Sequence, residues 1–484
     1  MWRKMEGWIK ENEKLLLILA GAMFLRVPTL FEPYWYGDEG IYLTLGQAIN
    51  KGLKLYSQIH DNKPPFLYLI AAVAGGGLFW FRFIAAIWNV VTVVVFAKAY
   101  RAIFGEKHRL EWGAVVIFAL LTNLPTLEGN IANAELFFLL PTLAAVAVLW
   151  KKSGMAEVFL GGLLVGLGSL FKIPALLEAG VWPIFWLTEV LQKKMKSKDW
   201  LLKSAVLGAG ALLPLVLSFG YWGRGEAKIA YLSAILGQNI NYLSTWKEGG
   251  VFDLKVRVAV AMVILGAIVM SAKKLGGRGV LITVWWVITL FAALLSGRPY
   301  PHYLLQMAGA ITMGIALMTE GNRWERMVLS ALMAILVGAV VGFKFWVYPV
   351  AGYYANFLKW ATGQQNKQAY FEWFGPTVTR DYQIATLIWA QSKSEERIFV
   401  WGDTPMIYAL SRRLPATKYT AKYHIESFGA QVQTIKEITT REPKYIVTTD
   451  NPENLPGLLH VLNDKYMLEE EIEGARVYRK TVGR

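Results

Sequence analysis

The 484 residues include no cysteine and only five histidines, and Asp, Glu, Lys and Arg together make up just 18%. Each shortage excludes something. Without cysteine there is no disulfide, no thiolate metal ligand and no cysteine nucleophile. With so few charges set against 55% apolar residues and a mean hydropathy of +0.36, a soluble fold could not cover its core with polar surface, which disfavours a large soluble helical enzyme. No internal repeat, low-complexity tract or long linker is visible. What the chain has in quantity is apolar and aromatic: 20 Trp, 22 Tyr and 24 Phe supply many interfacial anchors. The formal charge of +15 is dispersed in short clusters between apolar runs, which argues against a nucleic-acid partner and for a membrane.

Apolar runs suited to crossing a bilayer, about eleven of them, lie near 15–31, 79–100, 112–127, 134–150, 156–172, 175–191, 201–220, 256–272, 279–296, 303–319 and 327–347. The first follows a basic, polar segment and lacks a small-residue cleavage site, so it reads as a retained anchor. The stretch 65–78, PFLYLIAAVAGGGL, is short and glycine-rich and reads as a re-entrant or interfacial helix. With the N-terminus in the cytoplasm, alternation puts every short basic linker inside: Arg101, Lys107 and Arg109; Lys151 and Lys152; Lys193, Lys194, Lys196 and Lys198; Lys273, Lys274 and Arg278; Arg323 and Arg326. The segments 32–64, 128–133, 221–255 and 297–302 then face outward, together with everything after about 348.

The fold class expected is mostly α: a polytopic protein of the cell (cytoplasmic) membrane, residues 1–348, followed by an extracytoplasmic connector and small α/β domain over 349–484. In that last part an amphipathic helix is predicted over 377–392, with strands at Arg397–Trp401, Lys444–Thr448 and Ala475–Arg479 and helical stretches near 427–440 and 453–463.

The expected outer face collects the residues able to carry chemistry. The first loop reads EPYWYGDEGIYLTLGQAINKGLKLYSQIHDNKPPFLYL, with Asp38 and Glu39 adjacent and Asp61 and Lys63 before Pro64–Pro65. Acids beside a cation suit removing a proton from one substrate while stabilising an anion on another; an ordinary solvated loop would look the same. Asn133 and Glu135 open a span, where an acid needs an interior or aqueous partner or else complements the helix dipole. Glu128, nearby, reads as a solvated cap. Lys172 closes a span before Ile173–Pro174 and either snorkels or binds an anion. Arg298, His302 and Tyr303 in SGRPYPHYLLQ sit where a phosphate could be bound, or act as interfacial anchors.

The pieces GDEGIYLTLGQAINKGLKLYSQIHDNKPPFLY, ANAELFFLLP, GLGSLFKIP and RPYPHYLLQ, in that order, resemble the GT-C glycosyltransferases that use polyprenyl-phosphate sugars, namely the protein O-mannosyltransferase and aminoarabinose-transferase superfamily. Weaker echoes are YYANFLKWATGQ and VWGDTPMIYALSRRLP, so that the likeness spans about residues 15–415. The resemblance implies that Asp38 is the catalytic base or acceptor-binding carboxylate, with Glu39 completing the pair and Glu135 a second acid. It assigns the donor phosphate to Lys63, Arg298, His302 and Tyr303, with Lys172 as a further match, and leaves Asp61 and Asn133 as substrate-binding groups. The long insert of eukaryotic protein mannosyltransferases is missing, which leaves the acceptor open between protein, lipid and glycan.

The expected reaction is therefore an inverting single displacement at the outer face, from a dolichyl- or undecaprenyl-phosphate sugar to an extracytoplasmic acceptor. The alternative is a transporter or flippase, which would put acids in mid-span and broken helices in corresponding halves. A third reading, an assembly protein whose C-terminal domain binds a partner, would make the outer acids replaceable. Asp38 and Glu135 offer hard oxygen ligands of the kind a divalent metal takes, but no compact ligand motif is present and the metal stays unassigned.

Overall fold

A computed structural model describes residues 2–151, 154–225, 227–240 and 253–481. Lys152 of the second basic linker and the 226 and 241–252 parts of the segment 221–255 lie outside the described residues. Among the described residues five helices are long and apolar enough to cross a membrane: Leu78–Phe104, Ile173–Leu191, Ser197–Trp222, Ala272–Ala293 and Arg323–Gly342. Three shorter apolar helices accompany them, Glu111–Asn123, Ala134–Trp150 and Met155–Ser169. The remaining expected crossings are helical at Trp2–Leu25, Leu254–Met270 and Ala308–Glu320. The chain is a multi-pass membrane protein, and five of its expected crossings satisfy length and apolarity unaided.

Two compact units emerge. The first comprises Met1–Val27, Ala85–Ser218 and Ile240–Val350; the second comprises Pro28–Ile84, Phe219–Asn239 and Ala351–Arg484.

The first unit is a helix bundle. Small residues let two of its helices touch backbone to backbone: a Cβ added at Gly162 would lie 2.1 Å from the Leu207 carbonyl oxygen, and one at Gly166 would lie 2.4 Å from that of Ala211. This four-residue spacing of glycines is the device by which helices pack closely where lipid removes any hydrophobic drive between them. Elsewhere the core is aromatic, with Phe96 and Phe118 stacked at 4.1 Å and Trp285 and Trp286 buried. The segment Ala272–Ala293 is broken at Gly276, whose φ of 66° suits glycine alone, so the apolar helix proper begins after it. Helix Arg323–Gly342 starts on a capping box written in the sequence as N-x-x-E: Asn322 accepts from the Trp324 and Glu325 amides, and Glu325 accepts from the Asn322 amide at 2.8 Å.

The second unit contains a four-stranded sheet, β1 (Ile398–Trp401), β2 (Tyr445–Thr448), β3 (Tyr466–Ile472) and β4 (Ala475–Lys480), in the order β1-β2-β4-β3. β1 and β2 are parallel, in register Ile398↔Tyr445, and the other pairs are antiparallel. Side chains alternate across β1: Ile398 and Val400 enter one apolar cluster with Ile384, Ile388, Tyr408 and Val447, while Phe399 and Trp401 enter another with Ile438, Ile446, Leu458 and Leu462. Both faces are covered, which is why β1 and β2 read as uninterrupted apolar runs. The three predicted strands and the helix Val378–Gln391 are found within one or two residues of their predicted limits. β3 was not expected, because its LEEE run looks unlike a strand; it lies at the sheet edge, where exposed acids discourage pairing with another chain.

Helix Gly37–Asn50 of the first loop packs into the same unit. A Cβ at Gly46 would sit 2.6 Å from the Ala71 carbonyl carbon, so helix Phe66–Val73 lies directly against it. On the opposite side Gly40 faces the backbone nitrogen of Met406, which opens the helix Met406–Ser411. Gln47 bridges the two neighbours, donating to the carbonyls of Gly76 and Ala409 at 2.9 Å each.

Candidate active site

In the second unit the first-loop acids divide. Consecutive on a helix, Asp38 and Glu39 point about 100° apart. Glu39 is buried and meets Arg82, at 2.5 and 3.0 Å from two guanidinium nitrogens. Arg82 also reaches Glu32 at 2.8 Å and the Thr29 carbonyl at 2.8 Å, and Tyr353 donates to Glu32 at 2.5 Å. One guanidinium thus pairs with two carboxylates in a site closed to solvent. Glu39, expected beside Asp38 as a second catalytic acid, is committed to this ion triad.

Asp38 keeps 31% of its side chain exposed. It stands in the first turn of its helix, where the dipole favours a negative charge. The Tyr42 hydroxyl donates to it at 2.9 Å, and the Lys63 ammonium lies 3.4 Å away. Lys63 also sits 3.7 Å from Asp61 and 4.9 Å from the centre of the Tyr42 ring. Burial pushes the Tyr42 phenol well up, and the Asp38 charge adds to the shift, so this hydroxyl is a donor throughout the physiological range.

Asp61 is wholly buried. Its oxygens accept from the Asn62 amide at 2.7 Å and the Tyr68 hydroxyl at 2.8 Å, and His424 Nε2 lies at 3.2 Å. Burial alone would raise its pKa, but Lys63, His424 and the amide outweigh it and hold the carboxyl well below the usual range. His60, one residue earlier, is buried against Tyr419 and Phe428, and burial pushes its imidazole down to about 3, so it is neutral.

The first unit holds a separate set. Asn133 is buried at the N-cap of helix Ala134–Trp150 and Glu135 lies in the first turn. The Lys172 ammonium is 2.5 Å from Glu135 and 3.9 Å above the Tyr303 ring. The packing that holds this lysine is aromatic: Phe171 stacks on Phe137 at 5.5 Å, and Trp88 donates to the Phe137 carbonyl. His302 pairs through Nδ1 with Glu128, and its ring stacks on Tyr300 at 5.7 Å. Tyr348 also bonds to Glu128, and burial foremost, then the Glu128 charge, raises its phenol. Glu128 is therefore a buried partner of His302; the solvated cap expected of it is corrected, because the 3-10 turn Pro125–Leu127 folds it inward in a left-handed conformation. Arg298 is half-buried, with its amide donating to Ser296 Oγ at 3.3 Å.

The structure brings Asp38, Lys63 and Asp61 together in one unit and Glu135, Lys172, Tyr303, His302 and Glu128 in the other. Arg82, Glu32 and His424 were not anticipated. Arg82 had a signal, being a charge inside an apolar run, which is expensive unless paired; His424 had none. Among the described residues no group of three or more His, Asp or Glu side chains is disposed to hold a metal ion.

The helices and the small sheet together make a fold that solved structures share. Among solved structures, ArnT from Cupriavidus metallidurans bound to undecaprenyl phosphate aligns with a TM-score of 0.58 at 14% identity, over 98% of this chain and 99% of that one. The same protein in the apo state gives 0.55 at 14% identity over 98% of each chain. The archaeal oligosaccharyltransferase AglB from Archaeoglobus fulgidus, in complex with an inhibitory peptide and a dolichol-phosphate, gives 0.48 at 13% identity over 91% of this chain and 70% of its own. No protein-family model matches the sequence, and no curated protein does.

Proposed function

We propose that this chain is an integral membrane glycosyltransferase that moves a sugar from a polyprenyl phosphate to an extracytoplasmic acceptor by an inverting single displacement. The observation that carries the reading is the pairing of a partly exposed Asp38 with Lys63, backed by the buried Asp61, in a chain whose fold is that of a protein solved with undecaprenyl phosphate bound. Asp38 takes the proton of an acceptor hydroxyl or amine. The acceptor atom bonds to the anomeric carbon as the bond from that carbon to the phosphate oxygen breaks, and the lipid phosphate leaves as an anion. Lys63, beside Asp38, supplies a cationic group such an anion requires; in the first unit, Lys172, His302 and Arg298 form a separate set of groups suited to holding a phosphate. Glu135 holds Lys172, and Tyr303 offers it an aromatic face.

A carboxylate beside an ammonium suits this chemistry better than transport: Asp38 lies in a helix N-terminus outside the long apolar spans rather than within one. The test is mass spectrometry of envelope glycans and glycoproteins from cells carrying wild-type, Asp38→Ala, Lys63→Ala or no copy of the protein. A sugar missing from one acceptor in the last three strains is the expected result. Unchanged glycans with altered solute flux would instead establish the transporter.

A further inference from the structure

His424 is the buried titratable group that the proposed chemistry leaves without a task. It belongs to helix Lys422–Ser427, which lies on the crossover between β1 and β2. Its Nε2 lies at ion-pair distance, 3.2 Å, from Asp61 Oδ1, both side chains are fully buried, and neither ring nitrogen makes a well-aligned hydrogen bond among the described residues. The loop carrying Asp61 is fastened to the same layer, for the His60 amide donates to the Lys418 carbonyl at 3.0 Å.

Resting on the reading of Asp38 and Lys63 as reacting groups, we propose that His424 is a positioning residue for the transfer: from the C-terminal α/β layer it holds Asp61 so that Asp61 in turn holds the Lys63 ammonium beside Asp38. Asp61 has two oxygens and four neighbours. With the imidazole and the Asn62 amide at Oδ1 and Tyr68 on Oδ2, both oxygens are engaged, and Lys63 is shared between two acids at 3.4 and 3.7 Å. Without His424, Oδ1 keeps only the Asn62 amide, the carboxylate is held less firmly, and the Lys63 ammonium that it steadies shifts from Asp38. The α/β layer thereby acquires a role in the reaction.

The test measures transfer by the full chain in membrane vesicles that carry the cell's own acceptors, using a radiolabelled polyprenyl-phosphate sugar. His424→Gln keeps a donor at the Nε2 position and should turn over like wild type. His424→Asn moves the donor away and should lose about 10–100-fold in maximal rate, as partners one step behind the reacting groups do, at an unchanged KM for the donor. In an Asp61→Asn background His424→Asn should cost nothing further, since the two act as one unit. Should His424→Asn not fold, His424→Leu replaces it. Wild-type rate in His424→Asn, equal impairment in His424→Gln, or losses that multiply in the double variant overturn the proposal. Asp38→Asn and Lys63→Ala run alongside: if they too keep full rate, the reaction itself has been misread, whereas if they alone fail, only the role of His424 falls.

Discussion

Adjacent carboxylates with opposite fates make the sharpest test of the site. Asp38→Asn removes a base that is 31% exposed, with Tyr42 and Lys63 at its edge. The folded state loses little, because the amide still accepts from Tyr42. The rate should fall by about 10²–10⁴, the usual contribution of a positioned base, which corresponds to about 3–5 kcal/mol of barrier. Glu39→Gln does the reverse. It takes one of two carboxylates from a guanidinium with no solvent exposure, and breaking a buried pair costs about 3–5 kcal/mol. The lower end applies, since Glu32 still faces Arg82 at 2.8 Å. At about 2–4 °C per kcal/mol, the melting temperature should drop by about 6–12 °C. Tryptophan fluorescence on heating in detergent gives the melting point, and transfer per folded molecule gives the rate. A Glu39→Gln protein that melts like wild type yet has lost its rate would refute this division of labour.

In the first unit, Lys172→Ala and Glu135→Gln should be strongly non-additive in donor KM, because the two side chains meet at 2.5 Å; a double-variant cycle on transfer from the lipid-phosphate sugar measures it. Gly162→Leu should prevent the bundle from assembling, since even a single methyl would lie 2.1 Å from the Leu207 oxygen; gel filtration of the detergent extract would show aggregate in place of a monodisperse peak. In the second unit burial pushes the Asp381 carboxyl up to about 6, against the lowering effect of Arg380 and with Glu473 adding to the rise. The folded form then holds this proton more tightly than the unfolded chain, so its contribution is full below about pH 4 and is lost as pH rises through about 6, to the extent of about 3 kcal/mol. Melting curves from pH 4 to 8 should fall across that window in wild type and be flatter in Asp381→Asn.

Much of this was legible in the residues. The apolar runs placed the helices because in lipid every backbone group must be satisfied within its own segment, leaving the sequence few alternatives. β1 and β2 were legible as short apolar runs bounded by charges, and β3 was hidden because an edge strand is written in the language of solubility. Within the site, types and order pointed to Asp38 and Lys63, but nothing in DEG said which acid turns inward. That depends on Arg82, 43 positions later. Glu128 was misjudged for the same reason, since its partner His302 lies 174 positions away. His424 has no local mark at all; its meaning is given only by Asp61.

The second unit is stitched from three stretches, 28–84, 219–239 and 351–484. During synthesis the loop with Asp38 therefore emerges first and must wait, while some 270 further residues are made, for the strands and helices that complete its surroundings. Arg82 is at hand early to quench Glu32 and Glu39, but Asp61 stays without His424 until almost the end. A chain released before that point would hold the first-loop acids without the partners that position them, so on the proposed function premature termination yields an inert product.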